Sequence, residues 1–164
     1  MIFLTVGTQL PFDRLVSVVN EFSKANPEVK IVGQVGHTQV EGLNFEYYES
    51  LSISDFEKFF NESEAVVSHA GMGTILTALT SGKALFMMPR LHKYQEHRND
   101  HQIGTLEKFK DKAFCYGFSS LSELDRCYEE YVIHKMELKG ELLSPYAPDM
   151  MTNSLTDIIR KMMD

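Results

Sequence analysis

Short apolar runs and amphipathic stretches alternate along most of the chain. Ile2-Phe3-Leu4-Thr5-Val6, closed by Gly7, has the pattern of a strand buried on both faces. Phe12, Leu15, Val16, Val19 and Phe22 follow at helical spacing, with Pro11 expected in the first turn and Asn26-Pro27 as the stop. Residues 30–35 read as a second strand, and residues 45–48 as a short third one. Between them lies the loop Gly36-His37-Thr38-Gln39. Ser54-Asp55-Phe56-Glu57 has the spacing of a capping box and predicts a helix over residues 55–62. Ala65-Val66-Val67 is the next strand, followed by a helix over residues 74–80 that Gly82 ends. Residues 84–88 form another buried strand, closed by Pro89. A polar loop over residues 90–100 leads to a helix over residues 101–110 and a strand over residues 113–116. Ser120-Leu121-Ser122-Glu123 is a second capping box, and Leu124, Cys127, Tyr128 and Tyr131 mark the buried face of its helix.

Strands alternating with helices predict an α/β domain, a Rossmann-like parallel sheet with helices on both faces. Ligands of such sheets bind beyond the carboxyl ends of the strands. Four polar runs stand at such ends: Gly7-Thr8-Gln9, Gly36-His37-Thr38, His69 to Thr74, and Arg90 to Gln102. The tail differs. Residues 139–149 read as a loop, after which Met151, Leu155, Ile158, Ile159, Met162 and Met163 form an apolar stripe on a terminal amphipathic helix, residues 150–164. Such a stripe packs on its own domain or, being rich in methionine, on a partner.

Composition narrows the class. The chain has 164 residues, 43% hydrophobic and 24% charged, which suits a single domain over residues 1–164 with a real core. A net charge of −7 without a basic block argues against a nucleic-acid partner. No apolar run approaches the roughly 20 residues that cross a bilayer. The amino terminus lacks a basic leader and reads as a strand, which places the chain in the cytosol. Cys115 and Cys127, outside any CxxC pattern, are expected to be reduced and partly buried.

The densest chemical signal is Ser68-His69-Ala70-Gly71-Met72-Gly73-Thr74 at a strand-to-helix turn. Two glycines there leave backbone N–H groups uncovered at a helix N-terminus, which can hold a phosphate together with the Ser68 and Thr74 hydroxyls. The alternative is a tight turn in which glycine merely permits positive φ. The run is neither a dinucleotide fingerprint nor a P-loop, because Leu76 stands where the third glycine would fall and no Gly-Lys-Ser/Thr follows. His97 and His101 are four apart but lack the His-Glu-x-x-His pattern, and no metal ligand set is implied. Asp100-His101-Gln102 opens a helix at the ligand edge, where a carboxylate and an amide suit sugar hydroxyls.

Val6-Gly7-Thr8-Gln9-Leu10-Pro11-Phe12-Asp13-Arg14-Leu15, His69-Ala70-Gly71-Met72-Gly73-Thr74, Met88-Pro89-Arg90 and Asn99-Asp100-His101-Gln102 together resemble the glycosyltransferase family 28 C-terminal domain. Within it the chain is most similar to stand-alone donor-binding subunits of split enzymes. Examples are the PssE-type subunits of capsule and exopolysaccharide synthesis and the cytosolic half of the enzyme that adds the second N-acetylglucosamine to dolichol-linked sugar. The resemblance covers about residues 1 to 120 and implies the C-terminal half of a GT-B fold that binds a UDP-sugar as substrate, without a cofactor. It assigns Gly71, Met72, Gly73 and Thr74 to the diphosphate, Asp100, His101 and Gln102 to the donor sugar, and Gly7 and Thr8 to the cleft between two halves. His69 orients the turn or acts on the donor; equally, it is a satisfied buried histidine. Where the family often carries a ribose-binding glutamate, this helix has Thr77, or the nearby Thr80. The resemblance further implies a separate membrane-associated partner that binds a lipid-linked acceptor, supplies the general base and recruits this chain to the inner face of the membrane. Two other readings stand beside it: an accessory that enhances an active partner, and a flavodoxin-like nucleotide-binding domain without sugar chemistry.

Overall fold

The computed structural model describes residues 1–135 except Asp111 and Ala113. Six strands form one parallel sheet: β1 (Ile2–Thr5), β2 (Ile31–Gln34), β3 (Glu46–Tyr48), β4 (Ala65–His69), β5 (Ala84–Met88) and β6 (Cys115–Gly117), in the order β3-β2-β1-β4-β5-β6. Every pairing is parallel, so the chain returns through a helix or loop before each new strand. Strand order reverses between β1 and β4, which are paired in register from Ile2↔Ala65 to Thr5↔Ser68.

The period-2 rule sorts side chains between two core layers. Ile2, Leu4 and Val6, Ala65 and Val67, and Ala84, Phe86 and Met88 face α1 (Asp13–Ala25) and α5 (Leu121–His134). Phe3, Val66, Leu85 and Met87 face the other way, toward α2 (Ile53–Glu62), α3 (Met72–Thr80) and α4 (His101–Phe109). Both faces are therefore covered, which is why the central strands lack polar alternation. The expected α/β architecture is the one found. Cys115 and Cys127 are buried and unbridged.

Element ends differ from expectation in physically instructive ways. α2 starts at Ile53, and its N-cap is Ser52, whose hydroxyl accepts from the Asp55 backbone N–H at 3.1 Å and donates to Asp55 Oδ2 at 2.6 Å. Ser52 and Asp55 satisfy the capping spacing two residues earlier than Ser54 and Glu57 do. Pro11 lies ahead of the first turn of α1, whose N-cap is Phe12. β4 continues to His69, and α3 begins at Met72 with Gly71 as its N-cap. That shortens the connection to two residues, Ala70 and Gly71. The amphipathic stripe expected over residues 150–164 lies outside the described residues.

Ser52→Ala is expected to destabilise the fold by ~1 kcal/mol, while Ser54→Ala stays within ~0.5 kcal/mol of the parent. Urea denaturation of the two variants checks this.

Candidate functional site

A pocket of about 330 Å³ opens at the switch point beyond β1 and β4. Its walls come from the loop after β1 (Gly7, Thr8, Gln9 and Leu10), the start of α3 (Gly71 to Thr74), and His69, Arg90, His97 and Gln102. Three of the four polar runs thus meet here. The fourth does not: the Thr38 hydroxyl donates to Asp13 Oδ1 at 2.7 Å, and His37 pairs with Glu49 on the sheet's β3 side. A larger hollow of about 710 Å³ lies between α4 and α5 beside β6. It sits away from the strand-order reversal where ligands of doubly wound sheets bind, and so is the weaker candidate despite its size.

Arg90 builds the floor. It is 3% exposed, and its guanidinium donates to the carbonyls of Val6 (2.8 Å), Leu10 (2.7 Å), Pro11 (2.6 Å) and Glu96 (3.3 Å) while lying 4.5 Å from the Phe12 ring centre. Burial works against its charge, and the neighbouring Glu96 carboxylate supports it. Glu96 is itself gripped by Arg14, whose Nε and Nη2 donate to its two oxygens at 2.9 and 2.8 Å. The Leu91 N–H donates to the same carboxylate at 2.9 Å. The loop after β1 is therefore tied through side-chain donors to the end of β5, more than seventy residues away in sequence.

His69 forms the wedge between the two glycine turns. A Cβ at Gly7, which has φ +80°, would come within 2.9 Å of His69 Cε1, and one at Gly71 would overlap His69 Nε2. These glycines are dictated by ring contact; at Gly7 the left-handed backbone demands it too. His69 Nδ1 lies 3.3 Å from Ser68 Oγ. Burial, with the Arg90 and His97 charges adding, pulls the imidazole from its ordinary value of 6.5 to about 4, so the ring is neutral at pH 7.

The start of α3 carries no capping side chain and no acidic residue in its first turn. α2 and α5 differ, each having a serine cap and an acid. The first-turn amides of α3 thus keep their partial positive charge uncompensated by protein. Gly73 faces open space, with nothing within 4 Å of a Cβ built there. Gln102 is 3% exposed, and its Oε1 accepts the Arg90 N–H at 3.1 Å, which fixes the amide and leaves its NH₂ donors for the pocket. No Asp or Glu lines the pocket, although the chain carries a net charge of −7. Donors without carboxylates are chemically suited to an anion.

Of the sequence-predicted site residues, Gly7, Thr8, His69, Gly71, Met72, Gly73, Thr74 and Gln102 come together here. Ser68 does not: it is fully buried within β4, and its hydroxyl faces the His69 ring. The Thr77 hydroxyl donates to the Gly73 carbonyl at 2.9 Å, and that of Thr80 to the Leu76 carbonyl at 2.8 Å, so both serve the helix backbone. Asp100 accepts the His92 N–H at 2.7 Å and shapes the loop, while exposed His101 sits against Asn99; neither lines the pocket. Gln9, Leu10, Arg90 and His97 line it without having been assigned to it. The signal for Arg90 was its position directly after the Pro89 that closes a buried strand.

A doubly wound parallel sheet with a donor-lined pocket at its switch point defines a Rossmann-like α/β domain. Residues 1–157 match the glycosyltransferase family 28 C-terminal domain, and the chain belongs to that family. Among solved structures it resembles the glycotransferase of kitacinnamycin (TM-score 0.61, 19% identity), covering 79% of this chain and 34% of that one. It also resembles the solution structure of ALG13 (TM-score 0.58, 18% identity), covering 92% of each chain. The chain therefore spans about a third of the first and nearly all of the second. No curated protein matches it. The fold is that of the C-terminal half of a GT-B glycosyltransferase.

Two outcomes are expected. Arg90→Met leaves four carbonyls without their donor and costs ~3 kcal/mol or more of unfolding free energy in urea. His69 is protonated in the unfolded chain below its ordinary pKa of 6.5 but in the folded chain only below about 4. Its contribution is therefore complete above pH 6.5 and is lost as pH falls through that window, by up to ~3 kcal/mol. The difference in stability between the parent and His69→Asn, followed from pH 7 to pH 4, should shrink accordingly.

Proposed function

We propose that this chain is the UDP-sugar-binding subunit of a two-chain hexosyltransferase that acts on a lipid-linked acceptor in polysaccharide or glycan biosynthesis, such as capsule or exopolysaccharide formation. The observation that carries the reading is the uncapped start of α3 in a pocket free of carboxylates, within a family 28 C-terminal domain. The N–H groups of Met72, Gly73 and Thr74 take the diphosphate and stabilise it as it departs from the anomeric carbon. Gln102 takes a sugar hydroxyl. His69, a weak base at neutral pH, positions the two turns. UDP-sugar is a substrate here, and no cofactor enters the scheme.

This pocket offers no carboxylate to serve as general base. In the proposal that base belongs to a membrane-associated acceptor-binding partner, the heterodimer is the active form, and the chain works in the cytoplasm at the inner membrane face. The likeness of the fold to about a third of one glycosyltransferase and to nearly all of ALG13 supports a donor half borne on its own chain. Among the described residues no helix is long and apolar enough to cross a membrane, so anchoring through a partner fits them.

Calorimetric titration with UDP, a UDP-sugar, NAD and FMN tests the reading. UDP and UDP-sugar are expected to bind, and NAD and FMN are not. Gly73→Val, which meets open space in the protein, should lower UDP affinity about tenfold or more while leaving the thermal midpoint near that of the parent. UDP binding that is absent, or indifferent to this substitution, overturns the assignment.

A further inference from the structure

His97 has an unusual set of surroundings. Its ring packs edge-on against His101 with centroids 4.6 Å apart. Nδ1 is buried and has no hydrogen-bond partner. A buried imidazole N–H without an acceptor is costlier than a bare lone pair in the same place, because orphaned donors are the rarer kind of unsatisfied group. The Nδ1 position therefore favours the tautomer with the proton on Nε2, and the doubly protonated ring donates there as well. That second nitrogen is not buried, and no residue of the described chain bonds to it. His97 also lines the pocket, close enough to His69 for its charge to be felt there. The ring thus has one unspent N–H on a residue that lines the same pocket as the first turn of α3 and Gln102.

The pocket's guanidinium cannot play this part. The Arg90 guanidinium is already committed to backbone carbonyls. A diphosphate has more acceptor oxygens than three helix amides can satisfy, and a further donor in the same pocket would help to complete its shell.

We infer that His97 is a donor-recognition residue whose Nε2–H hydrogen-bonds a diphosphate oxygen of the nucleotide held at the start of α3. The inference rests on the UDP-sugar reading above and assigns a contact that the sequence motifs left open.

The test is UDP affinity, with uridine as the comparison, in the full chain. His97→Phe keeps the ring and its packing on His101 but removes the donor. UDP affinity should fall about tenfold or more, as for a lost hydrogen bond to a charged group, while uridine binding is unchanged. The thermal midpoint should not drop, since the orphan nitrogen goes too. His97→Gln places an amide NH₂ near the Nε2 position and should stay within about threefold of the parent. His97→Asn, whose shorter amide mimics Nδ1 instead, should behave like His97→Phe and takes its place if the phenylalanine variant does not fold. UDP affinity within twofold of the parent in His97→Phe, or a failure of His97→Gln to restore it, overturns the inference. If Gly73→Val abolishes UDP binding while His97→Phe leaves it intact, the nucleotide reading stands and only this contact falls. If the parent binds no UDP, both fall.

Discussion

The buried guanidinium of Arg90 is the constraint on which the site depends. The loop after β1 has to leave the sheet and turn back into α1, and in doing so it exposes carbonyls that no strand or helix pairs. Arg90 reaches from the end of β5 to the carbonyls of Val6, Leu10 and Pro11. A planar fork of donors suits this task, whereas an ammonium would offer a point charge. The cost of burying a cation is offset by those carbonyls, by the Phe12 ring face and by Glu96. Arg14 and the Leu91 N–H then hold Glu96 in place. One linked polar cluster thereby fixes two segments far apart in sequence, and the pocket lies between them.

Within that frame the glycines have separate reasons. Gly7 and Gly71 yield space to one imidazole ring, and Gly7 also takes up a left-handed backbone. A Cβ at Gly73 would meet nothing within 4 Å, so its lack of a side chain leaves room only for something outside the protein. The turn from His69 to Thr74 thus contains one packing glycine, Gly71, and one that keeps an entrance open, Gly73. His69 belongs to the packing side of this division: its neutral ring spaces the two turns.

Much of the fold could be read from the chain because both faces of the sheet are covered. Residues 2–6 and 84–88 are continuous apolar runs for that reason, and such runs are hard to mistake. Helix ends were less legible. Ser52 and Ser54 both precede an acid at capping distance, and only the backbone decides between them. In the site, the turn from His69 to Thr74 was legible because glycine pairs at strand-to-helix junctions have few explanations. The apolar stretch ends at Val67, but β4 runs two residues further and carries the Ser68 hydroxyl into the sheet. Thr77 was read from a family position, yet its hydroxyl satisfies a backbone carbonyl one turn earlier. Arg90 and Glu96 sat in a polar run that suggests a solvated loop; their burial arises from partners no local pattern encodes.

The bare first turn of α3 carries a thermodynamic corollary. A helix end capped by glycine, as this one is by Gly71, forgoes about a few tenths of a kcal/mol that a serine or aspartate there would contribute. Any anion that binds those amides stabilises the native state through its binding free energy, about 2.7 kcal/mol at a hundredfold excess over its dissociation constant, and the gain at the helix end is part of that figure. The folded population then becomes a function of ligand supply. Scarcity of such a ligand would leave more of the polypeptide open to proteolysis, and abundance would protect it.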